Sequence, residues 1–224
     1  MKQLHDACCL VIDASGSTVF VGICQKGTWL SLESTQLPAL ESIPQLLESV
    51  FERAKLTLNN IECILVCSGP GSVLGTRVAA MTIHAWQAAN TLPQATLYQY
   101  ESLTILAAQL EYAQEAAYPF HIISESRNKR WNLLSILAPS QYLAIEEVER
   151  SRLEELTGGI FYLPQAKRNK DLPEKASPTE YTLTKLPQLL GKKDILKKIE
   201  KPEPFAHSAP RYHAWTAERH RKPS

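Results

Sequence analysis

A glycine-rich turn between an apolar run and an uncharged segment is the feature of this chain that best suits chemistry. Residues 61–67 are rich in branched side chains and predict a buried strand. The turn and the helix start after it hold Gly69, Pro70, Gly71, Ser72, Gly75 and Arg77. Such a junction directs backbone N–H groups to one place and can hold a phosphate. It can equally be a simple tight turn, which is the commoner case.

Asp13 is the second candidate for a functional residue. It ends the apolar run 7–14 and precedes the small polar turn that starts at Ser15, and residues 18–25 and 28–33 predict two returning strands. An acidic residue at a strand end, followed by such a turn, can hold a metal-bound phosphate. Alternatively, Asp13 caps its own turn. The residues leave both interpretations open.

Composition narrows the class of protein. The chain has 224 residues, 44% of them apolar and 21% charged, which is typical of a globular protein. Its longest uncharged span, residues 78–100, is interrupted by polar residues and a proline, which argues against a membrane span, and the N-terminus lacks a secretory leader. We therefore expect a cytoplasmic protein.

Cysteine and histidine usage predicts no metal centre. All five cysteines fall in strand-like runs with no repeated CxxC spacing, which favours reduced thiols in a core. The six histidines are scattered along the chain and include no HxxxH pair.

The charge is unevenly distributed. Residues 1–164 hold 10 Lys/Arg against 16 Asp/Glu, whereas residues 165–224 hold 14 against 7. The basic C-terminal tail, residues 191–224, mixes aromatic and basic residues and could stack on RNA, or it is a solvated end.

The pattern of elements predicts a mixed sheet with helices packed on it. A capping box at Ser42 predicts a helix over 42–55, and residues 97–100 and 103–113 predict a strand and a helix. Later come strands at 118–125 and 131–137, a charged helix at 146–156 and a modest helix at 183–190. We expect two lobes, residues 1–114 and 115–190, followed by the tail.

With these residues in place, the chain resembles the TsaB (YeaZ) family, a subunit of the bacterial machinery that makes threonylcarbamoyladenosine in tRNA. Residues 12–15 are similar to the family's strand that ends in Asp-Thr-Ser, and residues 69–77 match its Gly-Pro-Gly-Ser-Phe-Thr-Gly-Leu-Arg block at six of nine positions. Residues 125–132, with Arg127, resemble its Asp-Ala-Arg block. The similarity is specific over residues 7–110 and fades after Leu137.

The resemblance implies an α/β fold of the actin and sugar-kinase (ribonuclease H-like) type, with two lobes of mixed sheet and helices. It also implies a non-catalytic scaffold that pairs with a TsaD-type transferase and is joined by a TsaE-type ATPase. Contact with tRNA would be indirect, the lone chain could form a homodimer, and an ATP or ADP contact could be shared in the full complex. No cofactor, metal or catalytic residue is expected in the chain itself.

The chain departs from the family's pattern in three places: a His-Ser pair near Pro38-Ala39 is absent, Val73-Leu74 replaces Phe-Thr, and Glu125 replaces an aspartate. They suggest a diverged branch, for which we expect pairing more than residual nucleotide contacts. The alternative function is an active small-molecule kinase or metallopeptidase of the same superfamily.

The uncharged helix predicts a docking face. At 100° per residue, one stripe of small residues through Val78, Met81 and Ala85 can lie on the sheet, and a second apolar stripe lies opposite. With the neighbouring helix, the predicted partner interface is Ile43, Leu47, Val50, Phe51, Ala79, Ile83 and Trp86. The alternative is that the C-terminal half of the chain covers this stripe.

Overall fold

The computed structural model describes residues 4–92, 95–164, 172–192 and 194–207. Its strands and α-helices, in chain order, are β1 (Cys9–Asp13), β2 (Val19–Gln25), β3 (Thr28–Thr35), α1 (Ala39–Ala54), β4 (Cys63–Gly69), α2 (Val73–Ala88), β5 (Thr96–Glu101), α3 (Ser102–Ala113), β6 (Phe120–Glu125), β7 (Trp131–Ile136), β8 (Glu146–Val148), α4 (Arg150–Glu154), β9 (Gly159–Tyr162), β10 (Ala176–Pro178), α5 (Leu186–Leu189) and β11 (Lys197–Ile199). No helix in these residues combines the length and apolar character that a bilayer crossing requires.

The first lobe is a six-stranded mixed sheet in the order β11-β5-β4-β1-β2-β3. Strands β1, β4 and β5 run parallel, whereas β2, β3 and β11 pair antiparallel to their neighbours. Parallel neighbours need helical crossovers, which α1 and α2 supply. Asp13 is the last residue of β1 and Gly69 is the last residue of β4. Because these strands are parallel, both residues lie at the same end of the sheet.

The second lobe is a five-stranded sheet in the order β10-β9-β6-β7-β8. Helix α3 lies between the two sheets, because its Ile105 and Ala108 belong to the first lobe's core and its Leu103 and Leu106 belong to the second. The two-lobe, mixed-sheet organisation predicted from sequence is confirmed.

The prediction of one charged helix over residues 146–156 is wrong. Its first residues form the edge strand β8, which pairs with β7, and only Arg150–Glu154 is helical. The pairing of β8 with Trp131 and Asn132 on β7 outweighs the local helix propensity of the glutamates.

Helices α1 and α2 pack side by side on one face of the first sheet, and the predicted partner interface is buried beneath them. Ile43, Val50, Ala79 and Ile83 have no exposed surface and Leu47 is 9% exposed. Phe51 and Trp86 are partly buried and pack against the same core. The assignment of these seven residues to a docking face is therefore wrong, since they contact their own sheet.

The face of α2 that packs on the sheet is opposite to the one predicted from sequence. Both faces are apolar, so the hydrophobic period gives the axis of the stripe but not its direction. Ile83 fills the core, while Met81, assigned above to the sheet, is 61% exposed and Ala85 is also exposed. Among the described residues, the partners that bury this stripe come mainly from β1, β2 and β4, and Ile199 of β11 is the contribution of the C-terminal half.

The start of α1 also differs from the sequence prediction. The helix begins at Ala39 with Pro38 as its N-cap, so Ser42 is a buried residue of the second turn and does not form a capping box. Its hydroxyl has no hydrogen-bond partner.

The chain after β10 returns to the first lobe, so the predicted boundary at residue 190 differs from the structure. Leu183, Leu186, Leu189, Leu190 and Ile195 pack under the first sheet, and β11 then pairs with β5. Residues 191–192 and 194–207 of the predicted tail are thus ordered parts of the fold, and residues 193 and 208–224 lie outside the described residues.

The five cysteines are buried and free of disulfide bonds, as predicted. Cys24, Cys9 and Cys63 lie directly opposite one another on β2, β1 and β4. The returning segment covers the same core face.

Glu111 on α3 connects the second lobe to the returning segment. Its carboxylate accepts hydrogen bonds from the Tyr118 hydroxyl (2.8 Å), the Ser140 N–H (2.9 Å), the Tyr142 hydroxyl (2.7 Å) and Lys192 Nζ (2.9 Å). Burial opposes ionisation, but these donors outweigh it and hold the pKa of Glu111 below its usual 4.5. The ionised carboxylate is thus a fixed part of the fold.

We predict that Glu111→Gln lowers the free energy of unfolding by about 2 kcal/mol at pH 7, because a charged acceptor of four donors is replaced by a neutral amide. The folded-state pKa is lowered, so the contribution is complete well above pH 4.5 and is lost as the pH falls through the folded pKa. Urea denaturation across this pH range measures it. Glu115→Gln, at an exposed position, is the control; a pH-independent difference would contradict the assignment.

Candidate functional site

Asp13 lies at the end of β1 with its side chain fully buried. Its Oδ1 accepts hydrogen bonds from the Ser15 N–H (2.9 Å) and the Ser15 hydroxyl (2.7 Å). Its Oδ2 accepts from the hydroxyls of Tyr100 (3.0 Å) and Tyr181 (2.5 Å). The carboxylate therefore has four donors from within the chain.

The surroundings of both tyrosines keep their hydroxyl groups protonated, so that they donate hydrogen bonds. Burial raises the pKa of Tyr100 and Tyr181 well above the usual value, and the Asp13 charge raises them further. The same two causes raise the pKa of the neighbouring Cys67 thiol. The site thus contains one carboxylate surrounded by protonated hydroxyl and thiol groups.

The two tyrosines reach Asp13 from distant parts of the chain. Tyr100 is on β5, two strands from β1 in the sheet, and Tyr181 is on the returning segment after β10. The sequence predicted that Asp13 would either hold a metal-bound phosphate or cap its own turn. The Ser15 contacts confirm the turn interpretation, and no local pattern around Tyr181 could have predicted its contact.

The glycine turn lies directly against the Asp13 turn. The Ser72 N–H donates to the Ser15 carbonyl (2.6 Å), and the Ser72 hydroxyl caps α2 by accepting from the Gly75 N–H (3.2 Å). Gly71 has φ of +151°, and a β-carbon there would overlap the Ser15 carbonyl oxygen. A β-carbon on Gly75 would overlap the Ala14 carbonyl oxygen in the same way. Both glycines are therefore required by close backbone approach.

The remaining predicted motif residues are placed less centrally. Pro70 follows a cis peptide bond, and its carbonyl accepts a hydrogen bond from the Ser102 hydroxyl (2.8 Å). Arg77 and Arg127 are exposed, and neither is among the donors to Asp13. Arg127 lies in the short turn between β6 and β7.

A cleft of about 690 Å³ opens between the lobes at this place. The first lobe lines it with residues 15–18, Phe20 and residues 70–72. The opposite wall is Leu163 and Pro164 after β9, together with residues 178–181. Tyr181 is thus both a wall of the cleft and a donor to Asp13. Among the described residues, no group of three or more His, Cys, Asp or Glu is arranged to hold a metal ion.

Comparison with known proteins fixes the family. The model of the TsaD family, described as tRNA N6-adenosine threonylcarbamoyltransferase, matches residues 35–147. The chain belongs to this family. The match covers α1, the glycine turn, α2, α3 and the Arg127 turn.

Two solved structures share the fold of this TsaD-family chain. YeaZ from Pseudomonas aeruginosa has a TM-score of 0.63 at 14% identity, covering 83% of this chain and 90% of YeaZ. A protein described as similar to peptidase YeaZ from Pseudomonas aeruginosa has a TM-score of 0.65 at 15% identity, covering 89% of this chain and 99% of that one. Both agree with the TsaB (YeaZ) resemblance and with the predicted actin and sugar-kinase-like fold. No curated protein sequence matches the chain.

We predict that Gly71→Ala and Gly75→Ala each lower the free energy of unfolding by about 2 kcal/mol or more, because the added methyl group would overlap a backbone carbonyl of the Asp13 turn. Thermal unfolding measures the loss. Gly16→Ala in the same cleft is the matched control, since its β-carbon would come no closer than 3.7 Å to a neighbour. Equal stability of all three variants would show that the two turns can separate.

Proposed function

We propose that this chain is a non-catalytic subunit that pairs with a TsaD-type transferase to support threonylcarbamoyladenosine formation in tRNA. The observation that carries the proposal is the state of Asp13. From the sequence, this carboxylate could hold a metal-bound phosphate. In the structure, its two oxygens accept hydrogen bonds from four donors of the same chain. Binding a metal there would require the chain to give up the Tyr100 and Tyr181 contacts.

The outer surface of α1 and α2 supports pairing. Large apolar side chains are exposed there: Leu40 (71%), Leu74 (71%) and Met81 (61%). The two helices are neighbours, and α2 carries no formal charge after Arg77. We call Leu40, Leu74, Met81 and the exposed Ala85 the α1–α2 face. It replaces the interface predicted from sequence: its α2 residues lie opposite Ile83, and Leu40 lies at the exposed start of α1.

The occupant of the α1–α2 face in this proposal is a TsaD-type subunit that presents a matching pair of helices, which would bury the four side chains in a four-helix contact. A second copy of this chain could occupy the face when the partner is absent. A TsaE-type ATPase, an ATP or ADP shared between subunits, and indirect contact with tRNA remain predictions from the family resemblance.

We predict that the purified chain alone shows no transferase, peptidase or kinase turnover. Release of ADP, cleavage of peptide substrates and threonylcarbamoyl transfer to tRNA are the three assays. Turnover by the lone chain that is lost in Asp13→Ala would support the alternative, an active kinase or metallopeptidase of the superfamily.

We predict that Met81→Glu weakens binding to a TsaD-type subunit by a hundredfold or more, an order-of-magnitude estimate for a charge buried in an apolar contact. The fold should be retained, because Met81 is exposed in the lone chain. Co-elution in size-exclusion chromatography and titration calorimetry measure the effect. Leu137→Glu, which places the same charge on an exposed leucine of the second lobe, is the matched control.

Ile83→Glu separates the two faces of α2. Since Ile83 is in the core, this variant should unfold the lone chain and not merely prevent pairing. A folded Ile83→Glu variant that fails to pair would restore the interface predicted from sequence. Full pairing by Met81→Glu would exclude the α1–α2 face as the binding surface for the TsaD-type subunit.

A further inference from the structure

The last described residues form a strap across the glycine turn. We define the strap as residues 200–207. The Glu200 carbonyl accepts from Gln87 Nε2 at the end of α2 (2.9 Å), and the Glu203 N–H donates to Gln99 Oε1 on β5 (3.1 Å). The strap therefore passes from the end of α2 toward the edge of the sheet that carries the cleft.

Phe205 then lies on the glycine turn itself. Its N–H donates to the Ser68 carbonyl at the end of β4 (2.8 Å). A β-carbon built on Gly69 would be 3.5 Å from Phe205 Cβ, so the two residues are neighbours. The strap thus reaches Gly69, while Gly71 and Ser72 of the same turn stay exposed.

His207 attaches the end of the strap to the second lobe. Its Nε2 is 2.7 Å from Oδ1 of Asn132 on β7. The amide nitrogen of Asn132 already donates to the Ser124 hydroxyl and the Glu125 carbonyl, both 3.0 Å away. The oxygen of Asn132 is therefore an acceptor, and His207 Nε2 must be the donor. The rings of Phe205 and His207 pack edge to face, with centroids 4.8 Å apart.

The strap is held more weakly than the segment before it. Between residues 200 and 207, Pro202 is the one buried residue. The preceding segment is anchored by Leu183, Leu186, Leu189 and Ile195 in the core of the first lobe. The strap can therefore detach after β11 while the returning segment stays in place.

We propose that the strap is a clasp between the lobes: Phe205 holds the glycine turn, His207 holds β7, and release of the pair lets the cleft open. The contacts connect two blocks that are far apart in the sequence, the glycine turn and the start of β7. The clasp thereby adds a second connection between the lobes beside the link formed by Tyr181 and Asp13. It does not depend on the pairing function, and the lone chain tests it.

The test measures the distance between the lobes in the full chain. Spin labels on Gln45→Cys in α1 and Ser151→Cys in α4 report on it, since both positions are exposed and the five native thiols are buried. Without further change we expect one narrow distance distribution. His207→Ala should broaden it toward longer distances and speed amide exchange at Phe205 by roughly tenfold, the loss expected for one hydrogen bond.

Two further variants make the result specific. His207→Gln offers an amide N–H at a similar reach and should restore the narrow distribution, at least in part. Lys201→Ala alters an exposed strap residue away from the clasp and should change nothing. The native thiols should stay unreactive in every variant, which shows that the returning segment remains packed.

The outcome that would overturn the clasp is an unchanged distance distribution in His207→Ala together with faster exchange at Phe205. The strap would then fray by itself without holding the lobes. Equal behaviour of His207→Ala and Lys201→Ala in both measurements would overturn it as well.

Discussion

The buried carboxylate of Asp13 is the constraint on which the architecture depends. A charge without solvent must be satisfied by donors of the protein itself. Its donors come from three separate parts of the chain: Ser15 in the adjacent turn, Tyr100 on β5 and Tyr181 on the returning segment. The end of β1, strand β5 and the chain that comes back from the second lobe are therefore held at one point.

The backbone around this carboxylate is equally constrained. The Asp13 turn and the start of α2 approach so closely that Gly71 and Gly75 leave no room for a side chain. The carboxylate beside these turns is satisfied by Ser15, Tyr100 and Tyr181. Its charged group therefore serves the structure, which is why we propose a pairing subunit.

The returning segment gives the C-terminal part of the chain a structural role. It buries four leucines and Ile195 under the first sheet, adds β11 to the sheet edge and ties Glu111 to Lys192. The first lobe is thus built from both ends of the described chain, and the second lobe is an insertion between them. A boundary drawn along the sequence could not show this, because the segment's apolar residues have no regular period and its one α-helix has four residues.

The sequence by itself determined strands β1 to β7, the glycine turn and the mixed-sheet, two-lobe fold, because strand runs, turn glycines and helix periods are local signals. It also determined that the five cysteines are core thiols. The tertiary structure alone decided which face of α2 is buried, since both faces are apolar and only the sheet beneath selects Ile83 over Met81. It alone decided that residues 146–148 form a strand and that Tyr181 reaches Asp13, because both depend on partners distant in sequence.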